Sequence, residues 1–255
     1  MLVGQERDSA ELAKSCAPCG NPRKDCAIKC MYPRRIPSEL VMSLSLAAYG
    51  GKIVLVDTDE LADLALSDIS KEVLLGFDTE SKPSFKKGQS FPVSILQLGG
   101  SDCVWVFKLA GLSKSYEKIF AVLENPNIKK VGVAVKGDVN ALRKLHEFTP
   151  AGFEDISEKT RSIGIVNTGL KNLAGLFLGR RISKSVQMSN WAAETLTQKQ
   201  IMYAATDAWI SRDLHIEVSK VLREGRYALE PEEKPAAKPK GFIFRVFESL
   251  RGRFF

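Results

Sequence analysis

The octapeptide LLGFDTES, residues 74–81, decides how the chain is read. Its first half is apolar, like the interior of a strand, and its end places Asp78 and Glu80 two residues apart. Successive side chains of a strand point to opposite faces, so the two carboxylates share one side of a sheet. Like charges at the edge of a core repel and lose hydration, which calls for a positive partner between them. Thr79 alternates to the other face, where it is expected to serve packing alone.

Outward from this strand the pattern is antiparallel. EVLLGFDTE (72–80), FPVSILQLG (91–99) and DCVWVFKL (102–109) are three strand-like runs. The short link GGSD (99–102) predicts a hairpin between the last two, and the basic loop SKPSFKKGQS (81–90) joins the first two. Upstream, KIVLVDTDELADLALSDIS (52–70) reads as a short strand and then a helix whose start is marked by Thr58 and Asp59. Downstream the period changes. SYEKIFAVLEN (115–125) is helical, IKKVGVAV (128–135) a strand, DVNALRKLHEF (138–148) a helix and GFEDIS (152–157) a short strand. Helical patterns dominate from there to about residue 224. Antiparallel strands followed by βα alternation predict a mixed sheet flanked by helices.

A chain of 255 residues holds one large domain with extensions, and its 44% apolar content is ordinary for a globular protein. Lys and Arg number 37 against 30 Asp and Glu, a net charge of +7, to which residues 1–36 contribute +3 and residues 229–255 contribute +2. This balance permits a polyanionic partner without demanding one. MLVGQERDSAELAKS (1–15) lacks the apolar core of a signal peptide. No window approaches ~18 uninterrupted apolar residues, so no transmembrane segment and a cytoplasmic location are expected.

The ends read differently from the middle. Cys16, Cys19, Cys26 and Cys30 form C-x2-C-x6-C-x3-C, too sparse for a disulfide scaffold. Four thiolates suit Zn²⁺ or an iron–sulfur cluster; the alternative is a loosely ordered extension ahead of Met31. Residues 229–241 are a Pro/Glu/Lys linker by composition. In residues 242–255, Ile243, Phe247, Leu250 and Phe254 share a helical face while Arg245, Arg251 and Arg253 lie elsewhere. That segment suits a protein partner, a membrane surface or docking back onto the domain. The expected boundaries are therefore 1–36, 37–228, 229–241 and 242–255.

Two further stretches bear on the paired acids. In VAVKGDVNAL (133–142), a buried strand and a Gly turn lead to Asp138 at a helix start, which alone reads as a plain N-cap. In QIMYAATDAW (200–209), Tyr203 and Asp207 are four apart on one helical face, which alone reads as an amphipathic surface. Together, Asp78, Glu80, Asp138, Tyr203 and Asp207 resemble the motifs of the DEDDy 3′–5′ exonucleases. The resemblance runs from about Ile53 to Leu222. It is nearest the Werner-type branch, which LGRRISKSVQMSNWA (178–192) and PSFKKGQSFPVSILQL (83–98) also resemble.

The resemblance implies a ribonuclease H-like fold, with a five-stranded mixed sheet and helices on both faces. It implies two divalent cations, Mg²⁺ or Mn²⁺, which as hard ions prefer oxygen ligands. One would be held by Asp78, Glu80 and Asp207; the second would be shared by Asp78 and Asp138. Tyr203 would orient the nucleophilic water, keeping its own proton because an unperturbed tyrosine titrates near pH ~10. The implied activity is hydrolysis of nucleic-acid 3′ ends to nucleoside 5′-monophosphates, in DNA repair or other nucleic-acid metabolism. Ribonuclease D-like RNA trimming and a nucleic-acid-binding scaffold with a vestigial site are the alternatives.

Substrate contacts follow more loosely. Phe85, beside Lys86, is either a base-stacking residue or an ordinary loop anchor. Arg180, Arg181 and Lys184 either track phosphates or form a solvated basic face. Asn190 is a candidate polar contact and Trp191 a packing residue. Asn140 departs from the branch, which places an aromatic at that position.

Overall fold

The structure is a computed structural model that describes residues 30–225 and 227–229. The strands are β1 (Cys30–Tyr32), β2 (Ser45–Leu46), β3 (Lys52–Val56), β4 (Leu74–Ser81), β5 (Val93–Gly99), β6 (Cys103–Lys108), β7 (Lys129–Gly132), β8 (Phe153–Asp155), β9 (Arg180–Arg181) and β10 (Tyr227–Leu229). The helices are α1 (Ser38–Ser43), α2 (Asp59–Ile69), α3 (Tyr116–Glu124), α4 (Val135–Leu145), α5 (Ile156–Ser162), α6 (Leu170–Leu173) and α7 (Gln198–Glu224). LLGFDTES is β4 from end to end.

The main sheet has the order β3-β6-β5-β4-β7-β8. β4, β5 and β6 form the expected antiparallel meander, and β7 and β8 add in parallel beside β4. The sheet has six strands, not the five expected, because KIVLV pairs in parallel with β6 as an extra edge. Two small parallel pairs, β1 with β10 and β2 with β9, lie outside it. Tyr32 and Ile36 are buried in one cluster with Phe177 and Val218, so the boundary expected at residue 36 falls inside packed structure. Leu229, expected to open the linker, instead ends β10 and packs against that cluster. Cys16, Cys19, Cys26, residues 230–241 and the 242–255 segment lie outside the described residues, and of Cys30 only the backbone of β1 is described. Among the described residues, no helix is long and apolar enough to cross a membrane.

Strand alternation distributes the core between two faces. Phe77, Leu96, Leu98 and Phe107 meet α2, α3 and α4 through Ile69, Phe120 and Leu142. Ile95, Val104 and Val106 on the other face meet Ala204, Ala205 and Ala208 of α7. α7 is 27 residues long and begins with a capping box, in which the Thr197 hydroxyl accepts from the Gln200 N–H and the Gln200 side chain accepts from the Thr197 N–H. It ends at Gly225, in the left-handed region at φ 62°.

The alanine face of α7 lets it lie unusually low on the sheet. A Cβ added to Gly76 of β4 would fall 1.9 Å from the Ala208 carbonyl oxygen, and one on Gly99 of β5 3.0 Å from the Ala208 carbonyl carbon. Only glycine admits backbone this close. α4 begins three residues before the expected Asp138, because Ala134 takes a left-handed conformation, φ 60°, and turns the chain there. Its N–H donates to Asp155 Oδ1 at 3.0 Å, which holds the strained turn.

Candidate active site

Asp78 and Glu80 leave the same face of β4, and α7 brings Asp207 down beside them. One carboxylate oxygen from each of the three lies within 4.8 Å of the others. They line a cavity of about 390 Å³ together with Thr79, Tyr203, Lys171, Asn172, Lys184 and Gln187. Tyr203 is packed from behind by Trp191, which is fully buried with its ring 5.8 Å away, in the packing role expected of it. Trp191 Nε1 donates to the Gln187 carbonyl at 3.2 Å.

Crowding three carboxylates in a half-closed cavity makes their ionised forms costly. Burial pushes Glu80 up to about 8, with the charges of Asp207 and Asp138 adding to it. Burial raises Asp207 to about 7, against the hydrogen bond it receives from Tyr203. Asp78 is raised well above the usual carboxylate range by burial and then by Asp207, Asp138 and Glu80. Tyr203 is raised too, by burial and then by the neighbouring carboxylates, so its hydroxyl keeps its proton and acts as a donor. Asp207 Oδ1 is buried with no hydrogen-bond partner. Three carboxyls whose mutual repulsion nothing relieves, in an all-oxygen donor set, together fit a hard divalent cation.

Asp138 stands outside the group of three. It lies in the first turn of α4, and its Oδ1 accepts from the Thr79 hydroxyl at 2.5 Å. Burial raises its carboxyl, and the Thr79 bond opposes that rise. Thr79 therefore does more than pack, which corrects the expectation for it. It points to the opposite face as alternation requires, but α4 covers that face and delivers Asp138 to it.

The structure gathers some of the expected substrate contacts and disperses others. Phe85, 83% exposed, is no loop anchor. With Lys86 and Asn190 it lines a groove of about 420 Å³, which Lys82, Phe91 and Met188 complete. Near neighbours in the chain divide between the two: Glu80 and Gln187 line the acidic cavity, Lys82 and Met188 the groove. Lys184 reaches the cavity. Arg180 and Arg181 are engaged elsewhere through β9: the Arg180 guanidinium stacks 5.4 Å from the Trp209 ring, and Arg181 Nε donates to the Leu44 carbonyl at 3.0 Å. Met188 and Phe91 escaped sequence reasoning because nothing local joins residues so far apart in the chain.

The arrangement agrees with what known proteins show. The sequence model of the 3′–5′ exonuclease family matches residues 53–223. The bifunctional 3′–5′ exonuclease/ATP-dependent helicase WRN of Mus musculus is 28% identical over 200 residues, covering 75% of this chain and 14% of that protein. A 3′–5′ exonuclease of Drosophila grimshawi is 26% identical over 209 residues, covering 74% of this chain and 62% of its own length. The chain thus spans less than two thirds of these relatives. The crystal structure of the Aedes aegypti Nibbler EXO domain superposes with a TM-score of 0.64 at 24% identity, covering 72% of this chain and 94% of that one, which supports the ribonuclease H-like fold. With the match running from β3 to the last turn of α7 and enclosing every residue of the acidic cavity, the chain belongs to the 3′–5′ exonuclease family.

Proposed function

We infer that this protein is a two-metal 3′–5′ exonuclease, using Mg²⁺ or Mn²⁺ to release nucleoside 5′-monophosphates from a nucleic-acid 3′ end. The family is divalent-metal dependent, and the observation that carries the reading is the trio of carboxylate oxygens within 4.8 Å. Asp78, Glu80 and Asp207 would hold one cation; Asp138, kept at the margin by Thr79, would complete a second with Asp78. Bound cations supply Lewis-acid stabilisation of the phosphodiester oxygens and a water acidic enough to attack.

The remaining roles belong to the chain's own groups. Tyr203 retains its proton across the working pH range, so it positions the attacking water by hydrogen bonding rather than removing its proton. Lys171 and Lys184 at the cavity supply cations for phosphates on either side of the scissile bond. Phe85 and Met188 offer exposed apolar faces to bases, with Lys82 and Lys86 beside them for the backbone. Stacking on such a groove reads no sequence, because every base has a π-face. This lining favours an unpaired 3′ end, entering the cavity from the groove.

The test offers 5′-labelled DNA and RNA oligonucleotides to the wild type and to Asp78→Asn, with Mg²⁺, Mn²⁺ or EDTA. The expected result is a ladder shortening one nucleotide at a time, abolished by EDTA and slowed about a thousandfold in the variant. Cleavage that survives EDTA, or an unimpaired variant, would refute the reading. The ratio of DNA to RNA rates identifies the substrate.

A further inference from the structure

Gln97 is fully buried, and neither its Nε2 nor its Oε1 has a hydrogen-bond partner. An orphaned buried polar group costs about 1–3 kcal/mol, and native interiors retain few of them. The other inward residues of this strand, Ile95, Leu96 and Leu98, are apolar, as a core position would ordinarily be. None of the roles assigned above uses the carboxamide.

Its place in the sheet is specific. Gln97 of β5 stands directly opposite Asp78 of β4. Side chains so paired leave the same face with Cβ atoms about 4.5–5.5 Å apart. That face lies under α7, since Ile95, two residues earlier, packs with Ala204 and Ala208, and Gly99, two residues later, approaches Ala208. The same helix lowers Asp207 onto Asp78, and Asp207 Oδ1 is likewise buried without a partner. A carboxamide with nothing to donate to thus stands opposite Asp78 in the sheet, on the face over which α7 brings an Asp207 oxygen with nothing to accept from.

We propose that Gln97 is a positioning residue for the acidic cluster: its carboxamide, unbonded in this structure, is the donor that takes the inner oxygen of Asp78, the residue directly opposite it, when the cluster holds a cation, and so fixes which carboxylate oxygen faces the cavity. A carboxylate held on its inner side presents the outer oxygen in one direction. Without that hold, two adjacent carboxylates turn apart to relieve their repulsion. Support of this kind behind metal-binding side chains is worth about 10–100-fold in metal affinity or activity. The proposal rests on the reading of this cluster as a divalent-cation site.

Gln97→Met keeps the length of the side chain and removes the amide; Gln97→Leu removes it with a shorter, branched side chain. Three measurements on the full chain decide the matter. They are Mn²⁺ binding by electron paramagnetic resonance without nucleic acid, thermal stability in EDTA, and the Mn²⁺ concentration for half-maximal cleavage. The expected result is unchanged or raised stability, Mn²⁺ binding weaker by about 10–100-fold, a matching rise in the half-maximal concentration, and an unaltered oligonucleotide KM. Wild-type Mn²⁺ binding in either folded variant overturns the proposal. So does failure of both variants to fold, which would make the amide structural. Equal Mn²⁺ binding by wild type and Asp78→Asn removes the metal reading itself, and this proposal with it.

Discussion

Replacing Gly76 by alanine tests whether the approach of α7 to β4 sets the acidic site. The added Cβ would lie 1.9 Å from the Ala208 carbonyl oxygen and 2.9 Å from the Ala208 carbonyl carbon and the Arg212 nitrogen. All three are helix backbone atoms, so no change of rotamer relieves the overlap. Real Cβ contacts do not fall below 3.0 Å, and the helix has to retreat. Gly76 precedes Asp78 by two residues on the same face, and Ala208 follows Asp207, so the retreat separates these two carboxylates directly. A misplacement of about 1 Å costs on the order of 100-fold in rate, and metal–ligand distances tolerate only about 0.2 Å. Overpacking costs about 1–3 kcal/mol, or roughly 2–12 °C in Tm for a domain of this size. Single-turnover cleavage of a 5′-labelled oligonucleotide, well below the variant's Tm, separates the two effects. Gly50→Ala is the control, because its Cβ meets nothing within 4 Å. A folded Gly76→Ala protein that cleaves at the wild-type rate would refute the reasoning.

The raised carboxyls of Glu80, to about 8, and Asp207, to about 7, make a pH prediction for the cation-free protein. Their contribution to stability is fully present below the unfolded values near pH ~4 and is lost as pH rises through the folded ones. Tm in EDTA should therefore fall between about pH 5 and pH 8, less steeply in Glu80→Gln, and recover on adding Mn²⁺; a wild-type slope in Glu80→Gln counts against it. Thr79→Val removes the bond that opposes the rise of the Asp138 carboxyl, so the acid limb of the pH–rate profile should move to higher pH. An unmoved limb would show that Asp138 ionisation does not govern the rate. Phe85→Ala deletes an exposed ring, so Tm should hold while oligonucleotide binding weakens by about 1–3 kcal/mol. Unchanged affinity in a filter-binding assay would remove Phe85 from the substrate path.

Much of the fold is written locally. β4 coincides with LLGFDTES, and Thr58 caps α2 by accepting from the Leu61 N–H. The hairpin closes where GGSD predicts, with the Gly100 N–H donating to the Cys103 carbonyl at 2.8 Å. Periodicity and capping are near-neighbour effects, so they survive in a linear reading. The sixth strand is less legible, because KIVLV shows its own strand character but not whether β6 has a free edge for it. The β1–β10 pair joins residues almost a whole domain apart, which no local pattern reveals.

The site divides the same way. Asp78, Glu80, Tyr203 and Asp207 were visible because alternation and helical spacing are local rules. Their convergence depends on the Gly76–Ala208 approach, where the shape of two distant surfaces decides how far apart the carboxylates stand. Gln97 makes the contrast plainest. In sequence it is one polar residue in an apolar strand; in the fold it is an orphaned amide opposite Asp78. The sequence by itself determined which side chains could serve a cation and on which face of their own element each lies. Only tertiary packing decided which faces meet, because close approach and burial are properties of pairs of elements and not of either alone.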